Sequence, residues 1–350
     1  MEAFFVMSKN VLVIKLGTAA ITGKNGAIST AIVKKLAAEI ALLRKQYNIV
    51  LVSSGAVGSG KNFIHHYQGT ITERKAAAAI GNPILIRLYH KHLHPYGITV
   101  AQALCERHHF ANRKQFLQLK ETFETFWRHD ILPVVNENDL VSNLELKFSD
   151  NDELATLLAV GFNAATLLLV TTAGGFLNDQ KQVIPVVEKI DAGILGYVTT
   201  DKSSAGLGGM VSKLASARLA ISLGIPVIIC GLGGADAIAN ALKGKNGTQF
   251  LAKPSNLKAR QKWLASGSIT PGSVTIDNGA VKALQHKKSL LTVGITQISG
   301  KFLKGEAIQI KTTEDEVIGV AKARFSATEL QQKTGEKNVI AAHVDDIVLL

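Results

Sequence analysis

Residues 206–213 read Gly-Leu-Gly-Gly-Met-Val-Ser-Lys, three glycines within four positions and then a lysine. Without a Cβ, such a backbone can approach an anion closely and turn its N–H groups toward it. The following stretch, 214–221, combines good helix formers with apolar spacing. The segment reads as a glycine-rich loop emptying into a helix N-terminus, a ready site for phosphate. Lys213 adds a mobile positive charge there.

Four other polar clusters offer complementary chemistry. Lys15-Leu-Gly17-Thr18 sets a lysine beside a flexible turn, and Ser53-Ser54-Gly55-Ala56 supplies small residues and N–H donors around a ligand-sized space. Asn136-Glu137-Asn138-Asp139 and Ser149-Asp150-Asn151-Asp152 gather amides and carboxylates. Each has a plain structural explanation: Ser149 or Asp150 as a helix cap, Asn136 to Asp139 as a turn, Lys15 as a solvated strand end. Their joint occurrence with the glycine-rich lysine segment points to one shared site.

A rival reading comes from Gly55-Ala-Val-Gly-Ser-Gly60-Lys61-Asn62, which nearly completes the P-loop pattern G-x-x-x-x-G-K-[ST] after a strand. It fails at its last position. A P-loop uses a Ser or Thr hydroxyl there as a magnesium ligand, and Asn62 has only an amide. The alternating His90, His92 and His94 are equally unpromising for zinc, because i and i+2 on a helix face different sides.

These clusters need a scaffold that brings them together. Short β-branched runs at 11–16, 49–53, 98–101, 131–135, 166–170 and 227–230 alternate with helical patterns. Near-continuous apolar strands of this kind belong to a mainly parallel sheet covered on both faces. Between the first two, Ser29 can cap a helix whose apolar stripe is Ile32, Val33, Leu36, Ile40 and Leu43. Repeated strand–helix–strand units predict an α/β fold in three layers, with ligands at the carboxyl ends of the strands. The chemical clusters fall at those ends. Residues 8–252 are expected to form this domain. Residues 253–272, with Pro254 and Pro271, read as a linker, and 273–350 as a small all-β module of short, glycine-punctuated strands.

The 350 residues are 47% hydrophobic and 19% charged, a composition for a packed core and not a disordered chain. Two cysteines exclude a disulfide framework and suit a reducing compartment. No apolar run reaches membrane-spanning length, and the first seven residues lack the pattern of a signal peptide. A soluble, cytoplasmic protein is expected. The net charge of +12 invites a nucleic-acid reading, but residues 273–350 hold ten Lys/Arg against nine Asp/Glu. The excess therefore lies in the α/β part, where multiply charged small substrates account for it as readily as RNA does.

The five clusters, in order and spacing, resemble the amino acid kinases, and the likeness spans nearly the whole chain. The most specific elements are Asn136-Glu-Asn-Asp139 and Asp150-Asn-Asp152; the first strand and the glycine-rich segment are shared more widely with other carboxylate and carbamate kinases. Within the family they look like the members that phosphorylate the side-chain carboxylate of L-glutamate to L-glutamyl 5-phosphate for proline synthesis. Gly247-Thr248-Gln-Phe250 resembles the stretch that closes the kinase domain, and residues from 273 onward resemble a PUA domain.

The resemblance implies a three-layer αβα kinase fold and ATP as phosphoryl donor, with Mg2+ carried by the nucleotide and no protein cage for the metal. It implies catalytic roles for Lys15, Lys213 and Asp152, the lysines flanking the phosphates and the carboxylate orienting them. The nucleotide site would comprise Lys15, Gly17, Thr171, Thr172, Leu207, Gly208, Gly209, Met210 and Lys213, with Gly17 contributing an N–H. Ser54, Asp139 and Asn151 match the family's glutamate-binding positions. It further implies a homodimer or tetramer and feedback inhibition by proline. Three departures stand out: Ala19 where the family usually has Ser, Ser149 where Gly is common, and Thr172 where many relatives carry Asp in the nucleotide site. Two alternatives keep their place: a related kinase for another amino acid or carboxylate, and RNA binding through the C-terminal module, which its balanced charge disfavours.

Overall fold

The computed structural model describes residues 9–23, 27–141, 150–199, 207–252 and 272–349. Described residues up to 106 and from 122 to 252 form one compact unit; residues 107–121 and those from 272 onward form the other.

The first unit is built on an eight-stranded sheet. Its strands are β1 (Asn10–Leu16), β2 (Tyr47–Ser53), β3 (Thr99–Cys105), β4 (Ile131–Glu137), β5 (Thr166–Val170), β6 (Val186–Val187), β7 (Val227–Cys230) and β8 (Thr248–Phe250). Their spatial order is β3-β4-β2-β1-β5-β7-β8-β6. All neighbours are parallel except β7 and β8. The six strands expected from apolar runs are all present. Leu12, Val13, Ile14, Val50, Leu51, Leu167, Leu168 and Leu169 are sealed from solvent, as strands covered on both faces require.

Up to residue 242 the chain winds through α1 (Thr18–Ile21), α2 (Thr30–Leu43), α3 (Ala56–Gly60), α4 (Ile71–Leu93), α5 (His108–Ala111), α6 (Arg113–Arg128), α7 (Asn151–Gly161), α8 (Ala192–Thr199), α9 (Leu207–Ser222) and α10 (Ala237–Leu242). Ser29 caps α2 by accepting from the Ile32 N–H, and the helix buries Val33, Leu36, Ile40 and Leu43. Helix α7 is buried along almost its whole length, so its apolar residues are not confined to one stripe.

Register aligns the strand ends. Leu16 of β1 stands opposite Ser53 of β2 and Val170 of β5, and Val170 stands opposite Cys230 of β7. The loops that follow these strands therefore emerge along one edge, where an open α/β sheet binds its ligands.

The near-P-loop resolves into packing. Residues 56–60 form α3, and a Cβ on Gly60 would lie 1.9 Å from the Ala77 carbonyl oxygen of α4. Reciprocally, a Cβ on Gly81 of α4 would lie 1.8 Å from the Ala56 carbonyl oxygen. The two glycines let α3 and α4 touch backbone to backbone.

In the second unit, β9 (Gly272–Ile276), β11 (Ile295–Gly300), β12 (Ala307–Lys311), β13 (Val317–Lys322) and β15 (Ile347–Leu349) make a five-stranded sheet in the order β11-β9-β12-β13-β15. Strands β10 (Leu290–Leu291) and β14 (Ile340–Ala342) pair separately. Val274, Ile276, Ile308, Ile310, Ala321 and Leu330 form its core. Two short helices, α11 (Asn278–Gln285) and α12 (Ala327–Gln332), accompany the strands that the sequence announced. Asp277 caps the first, and Ser326 with Glu329 makes a capping box on the second.

Candidate active site

Lys15 is the penultimate residue of β1 and only 5% exposed. A buried ammonium needs a partner, and Asp152 in the first turn of α7 provides it, with Nζ 2.6 Å from Oδ1. The other carboxylate oxygen of Asp152 receives Lys213 Nζ at 2.9 Å. One carboxylate thus holds two lysines from β1 and α9, and Asp152 itself is 1% exposed. The trio keeps one positive charge in excess in a sealed position.

Asp150 secures the helix that carries Asp152. Its backbone is extended, and its Oδ1 accepts from the N–H groups of Asp152 at 2.9 Å and Glu153 at 3.1 Å. Its Oδ2 accepts a hydrogen bond from Ser212 Oγ on α9, one residue before Lys213. The helix-cap reading of Asp150 is borne out, and the cap fixes the helix turn whose Asp152 holds the two lysines.

The glycine-rich segment differs from its expected form. It is not a loop: α9 begins at Leu207, so Gly208 and Gly209 lie in its first turn and Lys213 in its second. Glycine in a helix interior costs about 1 kcal/mol relative to alanine, but the first turn has few intrahelical bonds to lose. The helix formers from Met210 onward extend the helix back through it. First-turn N–H groups of a helix lack intrahelical partners, and among the described residues a Cβ on Gly209 would meet nothing within 4 Å. That open, donor-rich end suits an anion. Met210 is half-buried. Gly206 and Ser149 lie outside the described residues, as do the side chain of Leu207 and the surroundings of Gly208.

A second cluster adjoins the first through α7. Asn151, the residue before Asp152, donates through Nδ2 to Ser54 Oγ at 3.0 Å and to Asn136 Oδ1 at 2.9 Å. Its own Oδ1 is buried and has no hydrogen-bond partner among the described residues. Ser54 follows β2 directly, tied by its N–H to the Leu16 carbonyl at 3.2 Å. Asp139 stands half-buried in the turn after β4, three residues beyond Asn136.

The remaining nucleotide candidates lie at the ends of β1 and β5. The Gly17 N–H, expected to face phosphate, is directed at the Val170 carbonyl over a long 3.4 Å. The Thr171 N–H donates to the Cys230 carbonyl at 2.8 Å. Thr172 is exposed, as is Ala19.

Both oxygens of Asp152 are committed to lysines, and those of Asp150 to N–H groups and Ser212. These two carboxylates fit Mg2+ brought and held by nucleotide phosphates and water, and among the described residues no group of three His, Cys, Asp or Glu could hold a metal ion.

Two contributors were missed from sequence. Asn82 of α4 accepts through Oδ1 from Asn136 Nδ2 at 3.1 Å, in a buried contact. Tyr89, 1% exposed, lies 2.8 Å from Ser53 Oγ. Ser53 Oγ donates to the Ser54 carbonyl, so the Tyr89 hydroxyl is the donor to Ser53. Burial pushes that phenol well above its ordinary range, which keeps its proton in place. The available signal was a polar residue within the buried stripe Ala78, Asn82, Leu85, Tyr89 and Leu93.

Residues 10–231 match the amino acid kinase family, and residues 272–344 match the PUA domain. The chain is 35% identical to glutamate 5-kinase from Chlorobaculum tepidum over 353 residues, covering 97% of each. It is 33% identical to glutamate 5-kinase from Haemophilus influenzae over 368 residues, covering 98% of this chain and 100% of the relative. Among solved structures, carbamate kinase from Giardia lamblia bound to AMP-PNP superposes with a TM-score of 0.51. That match is 19% identical and covers 71% of this chain and 99% of the other, a likeness of fold alone. The chain belongs to the amino acid kinase family. Within that family, the relatives that match nearly its full length are glutamate 5-kinases.

Proposed function

We propose that the chain transfers the γ-phosphoryl group of ATP to the side-chain carboxylate of L-glutamate, giving L-glutamyl 5-phosphate, the first step of proline biosynthesis. The observation that carries this reading is the buried Asp152 clamp on Lys15 and Lys213 at the carboxyl ends of parallel strands. Its excess positive charge is costly to bury alone and is relieved by phosphate.

The reaction asks little covalent chemistry of the protein. The nucleophile, a side-chain carboxylate with a reference pKa of about 4.3, is already ionised at neutral pH. No general base is needed. What remains is in-line placement of donor and acceptor and neutralisation of charge on the transferring group. Lys15 and Lys213 supply positive charge to the phosphates, and Asp152 fixes both side chains in advance, so little reorganisation accompanies the reaction. The N–H groups opening α9, with Gly208, Gly209 and Met210, receive phosphate oxygens. Thr171 and Thr172 at the end of β5 border the nucleoside, and Gly17 faces the phosphates once its long bond to Val170 yields. Mg2+ bound to ATP supplies further charge neutralisation.

Ser54, Asn151 and Asp139 hold glutamate. Among the described residues the Oδ1 of Asn151 is an acceptor without a donor, which an α-ammonium group satisfies, and Asp139 adds the charge complementary to it. All these residues lie in the first unit, so the catalytic domain is assigned to residues 8–252 apart from 107–121, which belong to the second unit. Residues 273–350 form a PUA-like appendage, and the linker 253–272 lies, but for Gly272, outside the described residues. The same reading entails inhibition by L-proline and assembly into a dimer or tetramer, read by inhibition kinetics and by light scattering.

The test is ATP- and magnesium-dependent hydroxamate formation from L-glutamate and hydroxylamine, which traps an activated acyl group and ignores simple ATP hydrolysis. Signal with glutamate, its absence with aspartate and its loss in Lys213→Ala are expected. No signal from the folded protein with glutamate would transfer the reading to another carboxylate.

A further inference from the structure

We propose that Asn82, on helix α4, is a positioning residue for substrate recognition: it sets the polarity of a chain of side-chain amides that ends in the free acceptor of Asn151. The inference rests on the reading above, in which Asn151 and Ser54 hold glutamate.

Each carboxamide has one accepting end and one donating end, so a row of them transmits direction. Asn82 offers Oδ1 to Asn136 Nδ2 at 3.1 Å. Asn136 must then present Oδ1 to its other neighbour, and it does so to Asn151 Nδ2 at 2.9 Å. Asn151 spends its second N–H on Ser54 Oγ at 3.0 Å. Both of its donors are used, and Oδ1 is left buried and unpartnered among the described residues. Were Asn136 reversed, Asn151 would turn its oxygen inward and expose an N–H end. The site would then present a donor to an ammonium group.

Nothing in Asn136 or Asn151 alone prevents that reversal. The row starts at Asn82, which is 7% exposed and carried by a helix packed backbone to backbone against α3. Its neighbour Gly81 packs against the Ala56 backbone so closely that no Cβ would fit. Two turns further on, Tyr89 bonds Ser53, the residue before Ser54. Helix α4 thus meets the amide row at one end and the serine pair at the other, and among the described residues no hydrogen bond or ion pair joins it to either lysine in the clamp. Loss of Asn82 should therefore weaken glutamate binding and spare the nucleotide.

Steady-state kinetics of the full-length protein would compare wild type with Asn82→Leu, Asn82→Asp, Asn151→Ala and the Asn82→Leu/Asn151→Ala double variant. Asn82→Leu, which removes the acceptor at similar size, should raise KM for L-glutamate about tenfold, the scale of one mispaired buried hydrogen bond, with KM for ATP and Tm near wild type. Asn82→Asp retains an accepting oxygen and should recover most of the lost affinity. In the double variant KM should not exceed that of Asn151→Ala alone, because both changes break one row.

Asn82 is not a positioning residue if Asn82→Leu leaves KM for glutamate unchanged, raises both KM values together, or multiplies the effect of Asn151→Ala. Should the leucine variant fail to fold, Asn82→Ala takes its place under the same criteria, and failure of both variants would assign Asn82 a purely structural role. An Asn151→Ala variant with unaltered KM for glutamate would instead overturn the assignment of the glutamate site itself.

Discussion

Lys213 Nζ and Asp152 Oδ2 stand 2.9 Å apart and join α9 to α7, with both side chains almost sealed from water. Because the other oxygen of the same carboxylate holds Lys15 at 2.6 Å, the position of one lysine constrains that of the other. A single buried anion thereby sets the spacing of the two cations.

Asp152→Asn should therefore damage catalysis and stability together. Two buried lysines lose their shared counter-charge, and breaking a buried pair on one side costs about 3–5 kcal/mol. Turnover should fall roughly a hundredfold or more, on the scale of a lost electrostatic contact in a transition state. Hydroxamate turnover and urea denaturation check the two effects. A variant with kcat within about tenfold of wild type would show that the lysines need no such anchor.

Lys213→Ala separates the two consequences. With the proposed role, in which the cation acts on the transferring group and not on bound glutamate, kcat should fall by about 10²–10³ while KM for glutamate changes little. Lys213→Arg should not restore activity, since a planar guanidinium does not reproduce a compact ammonium at the same point. A rise in the glutamate KM with kcat intact would move Lys213 to the other substrate.

The near-P-loop gives an opposite expectation. Gly60→Ala places a methyl group 1.9 Å from a carbonyl oxygen of α4. Neither backbone has a flexible end to yield, so the helices must separate, at a cost of about 3 kcal/mol or more. Asn62→Thr, which completes the P-loop pattern, should leave KM for ATP unchanged. Denaturation midpoints test the first variant and ATP kinetics the second. A stable Gly60→Ala variant with weakened ATP binding would restore the phosphate role.

What the sequence disclosed and what it concealed follow from the range of the interactions. The strands were legible because Val11 to Leu16 and Ile49 to Ser53 are apolar in runs too short for helices, and the chemical clusters fell at their ends. Ser29 and Asp150 announced helix starts because a cap is a local device. Glycines 208 and 209 misled, since glycine argues for a loop yet is tolerated in a first helical turn. The contact of Asn82 with Asn136 was hidden for another reason: periodicity places Asn82 on the buried face of α4 but does not name a partner 54 residues away. The same holds for Tyr89 and Ser53, 36 residues apart.

The two cysteines lead to a prediction about alkaline pH. Burial pushes the thiols of Cys105 and Cys230 up to about 12 from 9.0, with the nearby Glu106 and Glu39 charges acting in the same direction. The folded chain therefore keeps both protons at a pH where the unfolded chain has released them. Stability linked to these groups is fully present below pH 9 and is lost as pH rises toward 12, at up to about 1.4 kcal/mol per pH unit for each thiol. Denaturation free energies measured from pH 8 to pH 10.5 should decline, and the decline should be shallower in Cys105→Ala/Cys230→Ala. In parallel, a thiol-reactive aromatic disulfide at pH 8 should label the native protein slowly and the urea-unfolded protein at once. An unchanged pH slope in the double variant, or rapid labelling of the native chain, would show that these thiols are not held protonated by the fold.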